Sequence, residues 1–555
     1  MPYDVIVKGG RIVDGTGTEA FGGDIAIQDG RVVEVGDVSG TAARTIDADG
    51  QVVAPGFIDA HTHYDAQLLW DATANPSTAH GITTILLGNC GYTLAPVRSE
   101  DQDYLIGLFA AAEEVPKLAL QKYAPFAWET FADYLTWLEG RVGINVVTQV
   151  GHSAVRRFVM GEAALERTAT EDEIAEMVRI VEGSMDAGAA GVSSSQAPHQ
   201  RGEVGEHIPS FLADSKETHA LAGAVRRKGA RLLSINPASK RDGLTDEDRA
   251  FLVELAEISK AIVSWNDFGM GTPNGKSVLE FMEAEIQRGN RIQAIARCQR
   301  PETRFTLKKL SALFAAYDPW PAFSNLDKDA KIAALDDPDW RTRLGEFWDK
   351  AKFMVNASVE KAEGPTTKPL EGRLLVDIAR ERGAKPVDVM FDVARDDKLE
   401  TFFRISGPVD VDESPLERIL KSPATLVGIS DGGAHLQTFA GGDYTSYFLE
   451  HWVRDKGSFT LEEGVAALSS EVADFLGLDD RGALEVGKAA DVVVFDPDTV
   501  GPLELQTLED IPGGGTRMTK NARGISWVIV NGDPVVEDGT ATDVVPGQVL
   551  RASNG

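Results

Sequence analysis

The chain has only two cysteines in 555 residues, Cys90 and Cys298, so no disulfide framework supports it and a reducing compartment is expected. No apolar run reaches the roughly 18 residues of a membrane-spanning helix. The first residues, Met1-Pro-Tyr-Asp-Val-Ile-Val-Lys-Gly-Gly10, lack the apolar stretch of a secretory signal. A cytoplasmic protein is therefore expected. Positive charge is in short supply: 55 Lys and Arg against 86 Asp and Glu leave a net charge of −31. Such a surface repels phosphate backbones and anionic lipid, which makes nucleic acid and membranes poor partners; it says nothing about the reaction, for which the motifs below lead to a small-molecule substrate. No G-x-G-x-x-G follows a strand pattern, and Pro512-Gly-Gly-Gly515 has the context of a turn rather than of a phosphate loop. Ser193-Ser-Ser195 lacks a nucleophile-elbow pattern, so Ser-His-Asp hydrolysis is not expected. What remains is ordinary: 43% apolar and 25% charged residues describe a globular chain, and its length calls for a large domain plus a smaller one.

The two ends read as β. Asp4–Lys8, Arg11–Val13, Asp24–Gln28 and Arg31–Val35 are short runs rich in Val and Ile, and Asp29-Gly30 between the last two is a hairpin signal. Near the other end, Asp491–Phe495 reads as a strand, and Asn531-Gly532 joins Ile525–Val530 to Val535–Val536 in the same way. The termini are thus expected to meet in one small β-sandwich, built from residues 1–55 and 481–555.

Between them, residues 56–480 alternate differently. Eight apolar runs end in polar residues and are followed by helix-length patterns: Gly56–Asp59, Ile82–Gly88, Ile144–Val150, Gly191–Ser194, Arg231–Ser234, Ala261–Ser264, Arg291–Ala296 and Thr425–Ile429. Runs of this kind suit parallel strands buried on both faces. Helices are predicted over Glu171–Ala187, Asp246–Ile258, Lys276–Arg288 and Leu461–Leu476, three of them opening on a Thr with an acid three residues on. Eight such units predict an α/β fold, a (β/α)8 TIM-like barrel. Two connections, near 98–141 and 302–421, are longer than a crossover helix needs. Both follow strand ends, where barrel active sites are built, so each reads as a pocket wall or lid, or as an added structural or oligomerisation element. A homo-oligomer is left open.

Three strand ends carry chemistry. His61 and His63, in Gly56-Phe-Ile-Asp-Ala-His-Thr-His63, stand at i and i+2 after strand one and point the same way, which suits one Zn²⁺ held by imidazole nitrogens. The plainer reading is a pair of core histidines. Cys90, in Gly88-Asn-Cys-Gly91 after strand two, can serve as a thiolate ligand, or as an inert small apolar side chain. Asp431, in Ser430-Asp-Gly-Gly-Ala-His435 after strand eight, would lie beside strand one in a closed barrel. There it would touch the metal and act as general base, unless it merely caps the next turn.

These three sites, in this order, resemble the amidohydrolase superfamily, and more closely its D-aminoacylase (N-acyl-D-amino-acid deacylase) branch. The resemblance extends to Val150-Gly-His-Ser153 and to Asp480-Arg-Gly-Ala-Leu-Glu-Val-Gly-Lys-Ala-Ala-Asp-Val-Val-Val-Phe-Asp-Pro497. It implies zinc, a Cys in place of a carbamylated Lys, and amide hydrolysis with a strand-eight aspartate shuttling the proton. By position, His61, His63, Cys90 and Asp431 are the implied metal ligands and Asp431 the implied base. Strand four ends Val192-Ser-Ser-Ser195, without a Lys to carbamylate, in keeping with the branch. The chain departs from the family at strands five and six, which end in Asn236 and Asn266 where relatives place metal-binding histidines. One zinc ion is therefore the simplest expectation, and the family's Lys near strand six is not evident.

The remaining candidates are weaker. His152, after strand three, is read either as a donor to the scissile carbonyl or as a structural histidine. Ser194, Ser195, Asn236, Asn266 and His435 are candidate substrate contacts, Cys298 a packed thiol, and Arg297 and Arg300 either carboxylate binders or members of surface ion pairs. The expected function is zinc-dependent hydrolysis of an amide-type C–N bond, as in an N-acyl amino acid, by metal-activated hydroxide with an Asp base. Its rivals are hydrolysis of a cyclic amide, lactone or ester on the same barrel, and a non-catalytic scaffold.

Overall fold

Eight short parallel strands follow one another through the middle of the chain: Phe57–Asp59, Ile82–Leu87, Asn145–Thr148 continued by Val150–Gly151, Gly191–Ser195, Leu232–Asn236, Ile262–Phe268, Ile292–Ala296 and Thr425–Val427. The computed structural model in which they are seen describes residues 2–300, 302–310, 314, 317–407 and 412–552. Neighbouring strands pair in parallel in chain order. A parallel bridge from Thr62 to Gly432 brings the end of strand eight against the end of strand one. This is the expected (β/α)8 barrel. Its strands are mostly buried, Ile82–Leu87 at every residue, because helices cover the outer face and side chains fill the inner one.

The capping signals act as chemistry requires. Thr170 and Glu173 form a complete capping box on Glu171–Asp186, and Thr460 with Glu463 forms another. The helix predicted over Leu461–Leu476 is two, Leu461–Leu468 and Ser470–Leu476, broken at Ser469 (φ −132°, ψ −82°). There the buried Ser469 hydroxyl donates to the Val465 carbonyl at 2.6 Å, and Ser470 donates to the Gly15 carbonyl at 2.6 Å, tying the break to the β domain.

Strands from both chain ends share one nine-stranded sheet. The junction is antiparallel pairing of Val52–Pro55 with Val492–Phe495. Asp29-Gly30 (φ 50° and 72°) and Asn531-Gly532 (φ 50° and 89°) supply the left-handed pairs that tight hairpins demand. The segment after strand two folds into the helices Gln102–Ala112, Lys117–Tyr123 and Phe131–Leu138. The one after strand seven has its own apolar core around Phe305, Phe314, Trp320 and Phe403. It also has its own three-stranded antiparallel sheet, with Phe402–Ser406 between Glu302–Phe305 and Ala357–Lys361. Among the described residues no helix is long and apolar enough to cross a membrane.

Candidate metal centre

His61 and His63 leave strand one in extended alternation, so both rings enter the barrel mouth, 5.2 Å apart and inclined at 77°. Cys90 is presented by a tight turn after strand two, itself at φ +57°. The turn closes because Gly88 (φ +76°) has no Cβ, which would lie 2.2 Å from the Gln149 carbonyl oxygen. Asp431 also adopts a left-handed backbone, φ +51°. It is stitched to strand one by its own N–H donating to the His61 carbonyl (3.2 Å) and by the His63 N–H donating to the Gly432 carbonyl (2.7 Å). Two non-glycine residues held at positive φ concentrate backbone strain at this cluster.

One donor atom each from His61, His63 and Cys90 falls within 4.8 Å of the others, and all three side chains are buried. Cys90 Sγ lies 3.7 Å from His61 Nε2, and Asp431 Oδ1 lies 3.3 Å from His61 Nε2 and 4.0 Å from His63 Nε2. Ligands of tetrahedral zinc at ordinary bond lengths stand roughly 3.3–3.8 Å apart, so the pairs to His61 already have that spacing, while His63 would close in and the Asn266 amide, 2.8 Å from His61 Nε2, would withdraw as an ion seats. The chemistry of the donors agrees. Burial opposes the Cys90 thiolate, but the two imidazoles outweigh it and hold the thiol well below its ordinary range. Burial likewise opposes a charge on His63, yet Glu113, Cys90 and Asp431 together raise its pKa to about 10, so the ring holds a proton that a metal would have to displace, and the surrounding negative charge favours a cation there.

Asp431 is fixed as a carboxylate. Burial works against its charge, but His61, Arg297 and His63 hold the acid well below the usual range. Arg297 reaches Asp431 Oδ2 at 2.8 Å and Asp267 Oδ1 at 2.7 Å, leaving Asp431 Oδ1 turned toward the histidines. Arg297 therefore differs from the expected surface pair: its side chain is 10% exposed, wedged between two carboxylates. Arg300 pairs with Glu413 at 2.9 Å. Cys298 is a buried thiol whose pKa burial pushes up, consistent with a packing role.

Asn236 and Asn266 do reach the cluster. Their amide nitrogens lie 3.3 and 3.5 Å from Cys90 Sγ, and Asn266 Nδ2 lies 2.8 Å from His61 Nε2. The orientation of Asn266 is set from behind, because its Oδ1 accepts a hydrogen bond from Lys240 Nζ at 2.7 Å. His435 stands at the rim, its backbone N–H donating to the Glu113 carbonyl at 2.6 Å.

One expectation needs correction. His152 does not end strand three facing the mouth but begins the helix His152–Met160. Its Nδ1 meets Ser194 Oγ at 2.8 Å and its Nε2 meets Glu217 Oε1 at 2.6 Å, so no ring nitrogen remains for a scissile carbonyl. Ser194 borders the same small cavity as His61, Cys90, Asn236 and Asn266, and its hydroxyl is engaged by His152 Nδ1 at 2.8 Å. The Ser195 hydroxyl accepts the Ala197 N–H at 3.2 Å within its own loop.

The His152 network is completed by Arg156, which bonds Glu217 with both side chains fully buried. Glu217→Gln would leave the Arg156 charge buried without a counter-ion, and a loss of about 3 kcal/mol or more in urea unfolding is expected, with metal content unchanged.

Two residues at the centre carried no sequence signal strong enough to name them. Glu113, at the end of Gln102–Ala112, puts Oε1 3.8 Å from His63 Nδ1, a buried nitrogen with no hydrogen-bond partner. The acidic pair in Ala110-Ala-Ala-Glu-Glu-Val115, at the end of an apolar helix, was the available hint. Lys240 offered none, since its approach depends on the loop after strand five.

Comparison with known proteins agrees with this geometry. The amidohydrolase family profile matches residues 44–536. A D-aminoacylase of Alcaligenes xylosoxydans xylosoxydans is 30% identical over 99% of this chain and 98% of its own length. An N-acyl-D-glutamate deacylase of the same organism is 29% identical over 99% of this chain and 96% of its own. A solved D-aminoacylase structure, described by its binuclear metal centre with one-metal activation and second-metal attenuation, superposes with a TM-score of 0.66 at 26% identity, covering 99% of this chain and 100% of that one. The chain belongs to the amidohydrolase family, in its D-aminoacylase branch, and is a metal-dependent amidohydrolase.

Proposed function

We propose that the protein hydrolyses the amide bond of an N-acyl amino acid or a related small amide, using one zinc ion held by His61, His63 and Cys90 and the carboxylate of Asp431. The observation that carries this reading is the convergence of those three donors within 4.8 Å, with Asp431 Oδ1 3.3 Å from His61 Nε2. Bound there, zinc supplies Lewis acidity and brings the pKa of water toward neutrality. Asp431 takes the proton of the attacking water on Oδ1, its other oxygen being anchored by Arg297, and returns it to the leaving nitrogen. Strain in the Cys90 and Asp431 backbones keeps both groups aimed before substrate arrives. The amide N–H groups of Asn236 and Asn266 lie against the sulfur on the side of strands five and six, which supports a single ion. One-metal activation in the D-aminoacylase of known structure is consistent with that count.

The test is a substrate panel run with and without chelator. It holds N-acetyl-D-amino acids with apolar, acidic and basic side chains, their L-enantiomers, cyclic imides and lactones. Chelator-sensitive turnover of acyclic N-acyl substrates is expected. Turnover confined to rings or esters would move the reading to the rival bond. A metal-free protein inert to the whole panel would favour a scaffold.

A further inference from the structure

Among the described residues, one cation near the centre has no carboxylate beside it. If one divalent ion is bound, as proposed above, the Cys90 thiolate and the Asp431 carboxylate neutralise it, and Arg297 is neutralised by Asp267, its partner at 2.7 Å. Glu113, 3.8 Å from His63 Nδ1, balances the remaining charge, but no carboxylate among the described residues stands beside Lys240. Its Nζ touches a neutral amide oxygen, Asn266 Oδ1, at 2.7 Å, and among the described residues it forms no ion pair within 4 Å. A cation in a half-buried place without a carboxylate costs free energy unless an anion uses it. Burial lowers the Lys240 pKa, Cys90, Asp267 and Asp431 oppose that and Arg241 adds to it, so the ammonium lies within the field of the centre.

The route from Lys240 to the ligands is short and directional. The ammonium donates to Asn266 Oδ1, and the same amide turns Nδ2 toward His61 Nε2 (2.8 Å) and Cys90 Sγ (3.5 Å), while Asn236 Nδ2 reaches the sulfur at 3.3 Å. A flipped Asn266 would place Nδ2 against the ammonium, donor to donor, so Lys240 locks the amide with its N–H side toward the thiolate. Donors on that side leave no lone pair aimed at a further ion from strands five or six.

We infer that Lys240 is a built-in second cation: its ammonium, seated on Asn266, supplies the positive charge that another metal ion would bring and stabilises the negative charge developing on the substrate, while the Asn236 and Asn266 amides close the place to a further metal. This deepens the one-zinc reading and rests on it. An ammonium has three N–H donors and Asn266 uses one, so two remain for an oxyanion.

The test compares the full-length wild-type protein with Lys240→Ala and Lys240→Met, the latter keeping most of the apolar stem. Zinc per chain is measured by mass spectrometry after saturation with the metal alone, and turnover is measured with rising methylamine. The wild type is expected to stop at one zinc. Both variants are expected to keep that zinc and to lose about 10²-fold in kcat, as when an oxyanion donor is removed. In Lys240→Ala, methylamine should restore turnover in a saturable way and have no such effect on the wild type. Two zinc ions in the wild type would overturn the proposal, as would full activity in both variants or a loss that methylamine does not relieve. If no amide is turned over by zinc-loaded wild type, the functional reading fails by itself, and the zinc count still decides whether a second ion is excluded.

Discussion

Replacing Asp431 by Asn is expected to lower kcat by about 10³-fold with zinc still bound. Asn keeps the shape and keeps a hydrogen bond to Arg297, which sits 2.8 Å from Oδ2 in the native protein. It cannot accept a proton at Oδ1, the oxygen 3.3 Å from His61 Nε2. The loss should therefore fall in kcat more than in KM, because the proton is in flight only in the transition state. The wild-type carboxyl is held well below the ordinary range by His61, Arg297 and His63 against its burial, so it is ionised at neutral pH, as the proposed base must be. Unchanged turnover in a zinc-loaded Asp431→Asn protein would remove the shuttle from the mechanism.

Cys90→Ala is expected to act earlier, on the metal itself. Losing an outer partner of a metal ligand costs roughly 10- to 100-fold in affinity, and losing a direct thiolate ligand should exceed that. The variant should be isolated largely free of zinc and inactive. Its fold should persist, since Cys90 sits on a turn whose packing depends on Gly88 and Gln149 rather than on the sulfur. Native-like circular dichroism with zinc absent is the expected pair of results. Normal zinc content would show that the ion is held elsewhere.

The barrel and the ligand trio were legible in the sequence for one reason: each sits at the end of an apolar run, where a parallel strand meets the barrel mouth. His61 and His63 need only extended backbone to converge, and Asp431 needs only closure of strand eight on strand one, which the Thr62–Gly432 bridge provides. What the sequence hid depended on a single residue of phase or on a long-range approach. His152 lies one residue past Val150–Gly151, and the chain turns helical there, which swings the ring out to Glu217. Glu113 and Lys240 arrive from a helical excursion and a loop whose paths no local pattern fixes. Arg297 looked like surface charge because its two acidic partners, Asp267 and Asp431, are 30 and 134 residues away.

X-ray absorption at the zinc edge of the purified protein tests the centre most directly. One sulfur at about 2.3 Å, with nitrogen or oxygen neighbours at about 2.0–2.1 Å and no second zinc nearby, is the predicted shell. A shell of nitrogen and oxygen alone, or a folded protein that takes up no zinc, would contradict a centre built from His61, His63 and Cys90.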